Sequence, residues 1–481
     1  MPHPQAALPG GSADAPSVIW FRDDLRVGDN PALHAAIQRG RPIVGVFVLD
    51  EESPGFRALG GASLWWLHRS LLSLAASLEG LGARLILRSG PAESVITALT
   101  ASVGAGAVFW NRRYGAAERE VDTRIKAGLR AGGVETESFA GSLLFEPWTI
   151  RTGQDRPYSV FTPFWRACTS GPPPRMPYPA PRKIPGWGGA MASDGLADWA
   201  LEPTRPDWAA GLRSEWEPGE ASARALLDTF LRDALDDYAD ARDLPAEPAT
   251  SRLAPHLRWG EISPYQVWHA ADAARAGATG RAAASATRFL TELGWREFCY
   301  HTLFHAPELA SVNIRREFDA FPWPPLDDRA LRAWQQGRTG FPLVDAGMRE
   351  LWRTGSMHNR VRMVVASFLT KNLLIDWREG ERWFWDTLVD ADPASNPFNW
   401  QWVAGSGADA APYFRVFNPD LQAAKFDPQG EYIRANVPEW GTDAYPAPIV
   451  DLGDTRRAAL AAYDQVKRTK AAATADADPR G

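Results

Sequence analysis

The stretch SVIWFRDDLRVGDNPALHAAIQRGRPIVGVFVL, residues 17–49, predicts a strand, a helix and a second strand. Both of its ends are apolar runs rich in β-branched and aromatic residues, which is typical of buried strands. Between them Asn30 can cap a helix, Pro31 suits the first turn and Gly40 can end it. Further strand-like runs follow along the chain: ARLILR, AVFW and VETESF. Strands that alternate with helices predict a doubly wound parallel sheet, and therefore an α/β domain over residues 17–150.

The chain changes character twice beyond residue 150. Residues 151–215 are dense in Pro, Gly and Trp, which predicts a surface-wrapping connector in which PYSVFTPFWRAC can pack as a helix. Residues 216–455 show helical periodicity without strand-like alternation, so an all-α second domain is expected. Residues 1–16 lack the basic start and apolar run of a signal peptide and are expected to be a disordered lead-in. The Ala/Asp/Lys-rich tail, residues 456–481, is expected to fray.

Composition limits the location and the partners. The 481-residue chain is 45% hydrophobic and contains no apolar run long enough to cross a membrane. Two cysteines, Cys168 and Cys299, cannot form a structural zinc or iron–sulfur site by themselves, so we expect no metal, and their number fits a reducing compartment such as the cytoplasm. The net charge of −6 argues against a general DNA-coating protein. However, eight basic residues stand against two acids from Arg329 to Lys371, and this run predicts either a local phosphate-binding face or an ordinary solvated helical surface.

A second segment, DADPASNPFNWQW, points to a redox cofactor. It groups two carboxylates, one amide and two indoles: Asp390, Asp392, Asn396, Trp400 and Trp402. A flavin ring needs hydrogen-bond partners along its edge and a polar group near its reactive nitrogen, and a neighbouring Trp can pass it an electron. The alternative is a Gly/Pro/Asn-rich loop with aromatic residues packed over it.

Three other segments carry polar residues where a helix could present them together. One face of FLTELGWREFCYH would carry Phe289, Glu292, Trp295 and Arg296. In MHNRVRM, Asn359, Arg362 and Met363 share a face, although Met363 alone would be interpreted as a core methionine. The segment TSRLAPHLRWGEIS places hydroxyls and an arginine at a helix start, where backbone N–H groups attract phosphate, although Thr–Ser is also a common helix cap.

The motifs WREF, TSRL, MHNRVRM, LLIDWREGER, NWQW, GADAAPYFR and FNP together resemble the cryptochrome/photolyase family. The resemblance is closest to bacterial cyclobutane pyrimidine dimer photolyases and covers about residues 17–455. It implies the photolyase fold, an α/β domain followed by an all-α FAD-binding domain. It also implies light-driven DNA repair, in which reduced FAD donates an electron to a pyrimidine dimer flipped out of ultraviolet-damaged DNA. A dimer stacks and pairs poorly, so flipping it costs less than flipping normal bases. We expect a monomer.

The resemblance also implies a role for each matching residue. The flavin would be bound by Tyr238, Thr250, Ser251, Arg252, Leu253, Ala254, Phe289, Glu292, Arg296, Asn359, Arg362, Asp390, Ala391, Asp392 and Asn396. The dimer and the DNA backbone would be contacted by Arg242, Glu292, Trp295, Asn359, Arg360, Met363, Trp402 and Gln422. The reaction would depend on Glu292, on Asn396 facing the flavin N5, and on a chain of tryptophans from the flavin to the surface, Trp400, Trp377 and Trp323.

Three positions depart from the family pattern: Ala254, Phe289 and Ala117. Ala254 stands where Ser is common and loses one side-chain hydrogen bond, whereas Phe289 stands where Trp is common and keeps an aromatic wall.

The segment after the first strand is FRDDLRVGDN rather than GxGxxG, so the main flavin is not expected in the α/β domain. The family often carries a second, antenna chromophore there, a folate (MTHF) or a deazaflavin. Glu118 matches a folate contact, but Ala117 replaces the Asn that usually precedes it.

Three alternatives remain beside dimer photolyase. A cryptochrome-type photoreceptor would signal rather than repair, but its relatives often have Asp at the position of Asn396. A (6-4) photolyase is disfavoured, because that branch has His in the stretch that holds Asn359 and Met363. The third alternative is a flavoprotein that binds DNA without photochemistry.

Overall fold

The computed structural model describes residues 15–410 and 414–477. Residues 1–14 of the predicted lead-in and residues 411–413 of the GADAAPYFR motif lie outside this description.

The five predicted strands form one parallel sheet, which confirms the α/β prediction: β1 Ser17–Phe21, β2 Ile43–Leu49, β3 Leu85–Ser89, β4 Ala107–Asn111 and β5 Glu135–Phe139. The strand order is β3-β2-β1-β4-β5, and each neighbouring pair is parallel. The first helix, α1 Pro31–Gln38, begins as predicted, because the Asn30 side chain accepts a hydrogen bond from the backbone of Leu33 (3.1 Å). Gly40 follows the helix with a φ of 68°, a conformation that glycine adopts without strain.

The helices of the α/β domain cover both faces of the sheet: α2 Gly61–Gly80, α3 Ala92–Ser102 and α4 Ala116–Ala131. Buried side chains of α1 and α2 pack on one face, and those of α3 and α4 pack on the other. The connector includes the predicted helix α5, Phe161–Thr169, and a short α6, Ala210–Glu215. It also runs past the sheet, where Ile43 forms a bridge with Gly186.

The rest of the described chain is helical, as predicted. Its α-helices are α7 Glu220–Asp233, α8 Tyr238–Ala241, α9 Ala254–Arg258, α10 Pro264–Gly277, α11 Gly280–His305, α12 Asp328–Gln335, α13 Pro342–Thr354, α14 Asn359–Ser367, α15 Trp377–Thr387, α16 Ser395–Ala404, α17 Pro419–Phe426, α18 Glu431–Asn436 and α19 Leu452–Ala477. A π-helical turn, Phe368–Asn372, follows α14. None of the helices in the described ranges has the length and hydropathy needed to cross a membrane.

The prediction that the tail frays after residue 456 is wrong for its described part. Helix α19 continues to Ala477 and buries Ala459, Ala462 and Val466. Ala462 and Val466 pack in a cluster with Phe318 and Phe321. The sequence prediction missed this helix because its apolar face is made mostly of alanines, which resemble low-complexity sequence.

Buried polar contacts join the α/β domain to the helical domain. Glu261, which is fully buried, accepts hydrogen bonds from Trp66 Nε1 (3.2 Å) and Ser70 Oγ (2.5 Å) of α2. Its other oxygen lies 2.5 Å from His256 Nδ1 of α9. Because buried polar groups must be satisfied, these contacts fix the position of α9, which directly follows the TSRL segment, against the α/β domain.

Candidate cofactor and DNA site

The two acids before α16, buried Asp392 and partly buried Asp390, are held by different partners. Asp392 accepts hydrogen bonds from the backbone of Ala394 (2.8 Å) and Ser395 (2.7 Å) at the start of α16, and from the hydroxyl of Tyr300 (2.7 Å). Asp390 Oδ2 pairs with Arg362 of α14 (3.0 Å). Asp390 Oδ1 is buried and has no hydrogen-bond partner within residues 15–410 and 414–477. This oxygen is an acceptor placed to receive a donor from a bound molecule.

Asn396 on α16 is fixed by an acid from the preceding helix. Its Nδ2 donates to the backbone oxygen of Glu381 (3.1 Å) and to Glu381 Oε1 (2.9 Å). Glu381 is itself held by a bidentate pair with Arg57 of the α/β domain (2.7 and 2.8 Å). The orientation of the Asn396 amide is therefore set by a chain of contacts that crosses between the domains.

An aromatic wall lies on α11 and the neighbouring α8. Phe289 is buried and meets Tyr238 edge to face, with ring centroids 5.5 Å apart. Phe230 completes the cluster at 4.6 Å from Phe289. At the position where Trp is common in the family, Phe thus packs between two other rings, so the wall is retained and the indole N–H is lost.

The TSRL segment lies at a helix start, as predicted, but without the side-chain cap that was its alternative explanation. Helix α9 begins at Ala254, and its N-cap residue, Leu253, makes no side-chain hydrogen bond to it. Ser251 Oγ instead accepts from the Leu253 backbone (3.4 Å). Arg252 adopts a φ of 56° and pairs with Glu215 (2.6 Å). The exposed side chains of Thr250, Arg252 and Ala254 leave this loop open to a ligand.

Predicted DNA-contact residues on α11, on α14 and directly after α8 meet in one charge network. Glu292 of α11 pairs with Arg242 and with Arg288 (2.9 Å). Asp243, next to Arg242, accepts from Arg360 of α14 (2.6 Å). The Arg360 guanidinium also lies 4.4 Å from the centre of the Phe426 ring. Phe426 is one turn after Gln422 on α17, so the structure brings α8, α11, α14 and α17 together here.

Two indoles of the predicted dimer pocket lie on α11 and α16. Trp295 stacks face to face on Phe161 of α5, with centroids 3.7 Å apart and an interplanar angle of 11°. Trp402 donates from Nε1 to the backbone oxygen of Asp409 (3.1 Å). Met363 Sδ lies 3.9 Å from Arg360 Nη1, and Asn359 is exposed at the first turn of α14.

His358 caps α14 in a neutral form. Its Nδ1 accepts from the Arg360 backbone (3.2 Å), and burial lowers its pKa to about 4. A neutral His358 adds no third positive charge beside Arg360 and Arg362.

The three tryptophans of the predicted electron path lie in or against one core cluster. Trp400 is buried against Gly380 of α15, where a side chain would overlap its indole. Trp377 is buried and donates from Nε1 to Asn313 (3.0 Å). Trp323 is partly buried against the same cluster, with its ring 4.2 Å from Phe321.

Four residues that hold the site were not identified from the sequence. Glu381 orients Asn396, Tyr300 binds Asp392, Asp243 links two arginines, and Arg258 donates from Nε to the backbone oxygen of Ala391 (2.7 Å). Glu381, Tyr300 and Arg258 lie within the quoted segments LLIDWREGER, FLTELGWREFCYH and TSRLAPHLRWGEIS. Their partners are distant in sequence, as is Arg360, the partner of Asp243, so no local pattern shows these contacts.

Comparison with known proteins finds similarity in both the α/β half and the helical half of the chain. The family model "DNA photolyase" matches residues 17–182, and "FAD binding domain of DNA photolyase" matches residues 289–442. A deoxyribodipyrimidine photo-lyase from Agrobacterium fabrum is 50% identical over 481 aligned residues, covering 95% of this chain and 99% of the relative. The chain belongs to the cryptochrome/photolyase family.

Both branches of the cryptochrome/photolyase family are among its relatives. Cryptochrome-1 from Arabidopsis thaliana is 36% identical over 95% of this chain and 72% of the relative. A crystal structure of a bacterial class III photolyase from Agrobacterium tumefaciens superposes with a TM-score of 0.91 at 48% identity, covering 96% of this chain and 100% of that one. The predicted family, fold, photo-lyase enzyme class and FAD cofactor are confirmed by these similarities, whereas the roles of single residues stay predictions.

The residues of this chain fit FAD. Asp390 Oδ1 is a buried acceptor without a partner among the described residues, and Arg362, paired with Oδ2, balances the acid's charge. Asn396 presents a fixed amide, and the exposed loop at α9 offers hydroxyl and guanidinium donors for a pyrophosphate. These are the donor and acceptor types that a flavin dinucleotide requires.

Proposed function

We propose that this chain is a light-driven DNA repair enzyme that splits cyclobutane pyrimidine dimers. The observation that carries the proposal is the charge network of Arg242, Glu292 and Arg360, which adjoins a stacking indole, Trp295, on the same helix as Glu292. Cationic side chains beside a stacking aromatic surface are the features that bind a nucleic acid backbone and an extruded base.

Bound FAD in its reduced state supplies the light-excited electron that opens the cyclobutane ring. The chain's own residues bind and orient. Asp390 accepts a hydrogen bond from the cofactor, and Arg362 balances the negative charge of Asp390. Glu381 holds the Asn396 amide in one orientation toward the cofactor. Arg242 and Arg360 bind the phosphates on either side of the dimer, and Glu292, held between two arginines, offers a carboxylate to the base edge. Trp400, Trp377 and Trp323 supply electrons that return the flavin to its reduced state.

The test is repair of a thymine-dimer oligonucleotide by chemically reduced protein, in blue light and in darkness. We expect intact thymines to return only in light. The absorption spectrum recorded beforehand also tests the proposed antenna chromophore, because a near-ultraviolet band beyond that of flavin would show it. A flavin spectrum without repair in light would contradict the proposal.

That last result would favour a cryptochrome-type photoreceptor, the second candidate. The identity with cryptochrome-1 supports this candidate, although that relative is longer than the matched region. A photoreceptor should still be photoreduced through the tryptophan chain, so photoreduction without repair would identify it. We also propose that the protein acts as a monomer in the cytoplasm, which sedimentation and cell fractionation would test.

The substitution Trp295→Ala tests the dimer pocket. We expect it to weaken binding of dimer-containing DNA by about 1–3 kcal/mol, because a stacking surface is lost, while FAD stays bound. Trp352→Ala is the matched control, since Trp352 is an exposed indole (57%) outside the predicted pocket. Equal affinity of Trp295→Ala and the parent chain for damaged DNA would remove Trp295 from the pocket.

A further inference from the structure

A line of aromatic side chains runs from the cofactor-site acid Asp392 to the surface without using the three predicted tryptophans. Tyr300, whose hydroxyl binds Asp392, is in edge-to-face contact with Tyr114 (centroids 6.1 Å apart). Tyr114 in turn lies 6.4 Å from Trp148. Tyr300 and Tyr114 are 8% and 2% exposed, whereas Trp148 is 40% exposed. The line therefore begins in the core and ends in solvent.

Each tyrosine on this line has a carboxylate to receive its proton. Tyr300 donates to Asp392 Oδ2 (2.7 Å), and Tyr114 donates to Glu146 Oε1 (3.2 Å). Glu146 Oε2 is buried and has no hydrogen-bond partner in the described part of the chain. Arg112 binds Glu146 Oε1 (2.8 Å) and lies 5.7 Å from the centre of the Trp148 ring. A tyrosine loses an electron readily only when its phenol proton can leave, so a hydrogen-bonded carboxylate is the group it requires.

We propose that Tyr300, Tyr114 and Trp148 form a second, proton-coupled electron route between the flavin site and the surface. The proposal rests on the proposed placement of FAD beside Asp392. The oxidant is a light-excited oxidised flavin, and the reductant is a thiol in solution. The route is separate from the tryptophan chain, because Tyr300 and Tyr114 belong to a different core cluster from Trp400 and Trp377.

Electrons and protons balance along the route. As one electron leaves Tyr300, its phenol proton passes to Asp392. Tyr114 then gives one electron to Tyr300, which takes its proton back, and the Tyr114 proton passes to Glu146. Trp148 gives one electron to Tyr114, whose proton returns, and the thiol gives one electron to Trp148 and releases its own proton to water. The net result is one electron moved from the thiol to the oxidant, with both carboxylates unchanged.

The ordinary alternative is that these rings only fill the core. Burial raises the pKa of both tyrosines well above the usual value, so both phenols are neutral hydrogen-bond donors at rest. A packing role would account for the ring contacts and for Tyr300 satisfying Asp392. It would not predict a radical on illumination, and this difference is what the experiment measures.

The experiment uses the oxidised, FAD-loaded chain carrying Trp377→Phe, which interrupts the tryptophan chain, with deuterated tyrosine incorporated. Illumination followed by freezing should give an EPR signal. A tyrosyl radical is identified if this signal is narrower than that of the same protein with ordinary tyrosine. Adding Tyr300→Phe should abolish it. Adding Tyr432→Phe instead should not, because Tyr432 donates to Glu350 (2.6 Å) in a comparable pair outside the route. Trp323→Phe serves as a second background should Trp377→Phe fold poorly.

Two further readouts test the direction of the route. In the same background, Trp148→Phe should slow the decay of the tyrosyl signal by added thiol, and deuterated water should slow formation of the signal. Absence of a tyrosyl radical in both backgrounds, or its survival in Tyr300→Phe, would overturn the route.

Failure of the route and failure of the proposed function give different results. Chemically reduced protein needs no electron from the route, so Tyr114→Phe should repair dimer-containing DNA as the parent chain does. Repair without a tyrosyl radical would reject the route alone. A tyrosyl radical without repair would support the route and reject the proposed function.

Discussion

Glu297 shows how a single buried acid holds the segment that leads out of the sheet. It follows Arg296 on α11, and its Oε2 accepts hydrogen bonds from the backbone of Leu144 (2.8 Å) and Phe145 (3.1 Å). Burial raises the pKa of Glu297 to about 7 from the ordinary 4.5, against the opposing effect of Arg296. At single-residue scale, the cost of burying this charge therefore makes stability depend on pH.

The pH dependence has a definite sign. Between about pH 4.5 and pH 7 the folded chain holds the Glu297 proton that the unfolded chain has lost. The contribution of Glu297 to the free energy of unfolding is therefore fully present below about pH 4.5 and is lost as the pH rises through about 7. Glu297→Gln keeps the acceptor oxygen and should remove this contribution, which is at most about 3 kcal/mol.

Urea unfolding of the parent chain and Glu297→Gln, at about pH 5 and about pH 8, measures this difference. Other groups titrate alike in both proteins, so the difference between the two proteins in how the free energy of unfolding changes with pH isolates Glu297. The same change with pH in both proteins would show that Glu297 titrates at its ordinary pKa.

Helices α15 and α16 pack closely because Gly380 has no side chain. The indole of Trp400 fills the space that a Cβ on Gly380 would occupy. This contact fixes α16, and with it Asn396 and Trp402, against the helix that carries Glu381. At the scale of elements, one glycine thus sets the spacing on which the cofactor site depends.

Substituting Gly380→Ala should destabilise the chain by about 1–3 kcal/mol, because overpacking outweighs the gain of about 1 kcal/mol in helix propensity. Photoreduction should also slow, since Trp400 must move. Gly128→Ala is the matched control: Gly128 lies in α4 with no atom near its potential Cβ, so stabilisation of about 0.5–1 kcal/mol is expected. Thermal unfolding of both variants measures their stability relative to the parent chain. Stabilisation by both substitutions would mean that the Trp400 indole moves aside without cost.

The two domains are joined by contacts that reach the cofactor site. Arg57 of the α/β domain pairs with buried Glu381 of α15, and its guanidinium lies 4.0 Å from the centre of the Trp385 ring. Trp385 also donates from Nε1 to the backbone oxygen of Ala58 (2.8 Å). At the scale of the whole molecule, the α/β domain therefore helps to orient Asn396 through Glu381.

Replacing Arg57 by Met should cost about 2–3 kcal/mol. Breaking a fully buried ion pair costs about 3–5 kcal/mol, and a discount applies because the Arg57 side chain is 34% exposed. The flavin absorption spectrum should shift, because Glu381 would no longer be fixed. Arg124→Met removes an exposed pair with Glu93 (2.7 Å) and should cost about 0.5 kcal/mol or less. Equal stability loss in the two variants, or an unchanged spectrum in Arg57→Met, would contradict the proposed link.

The sequence by itself determined the strands, the doubly wound sheet, the α1 caps and the helical nature of the second half. These follow from local periodicity and capping, in which a residue's neighbours in sequence are its neighbours in space. The family resemblance also assigned Asp390, Asn396 and Arg362 to the flavin site, but it did not show that Asp390 pairs with Arg362.

The tertiary structure alone decided the contacts between distant segments. Arg57 and Glu381 are separated by 324 residues and Tyr300 and Asp392 by 92, so no periodicity relates them. The helical tail was missed for a similar reason, since Ala462 and Val466 become core only when Phe318 and Phe321 pack over them. Pairing of buried charges and burial of small residues depend on what packs opposite, and only the folded chain supplies that partner.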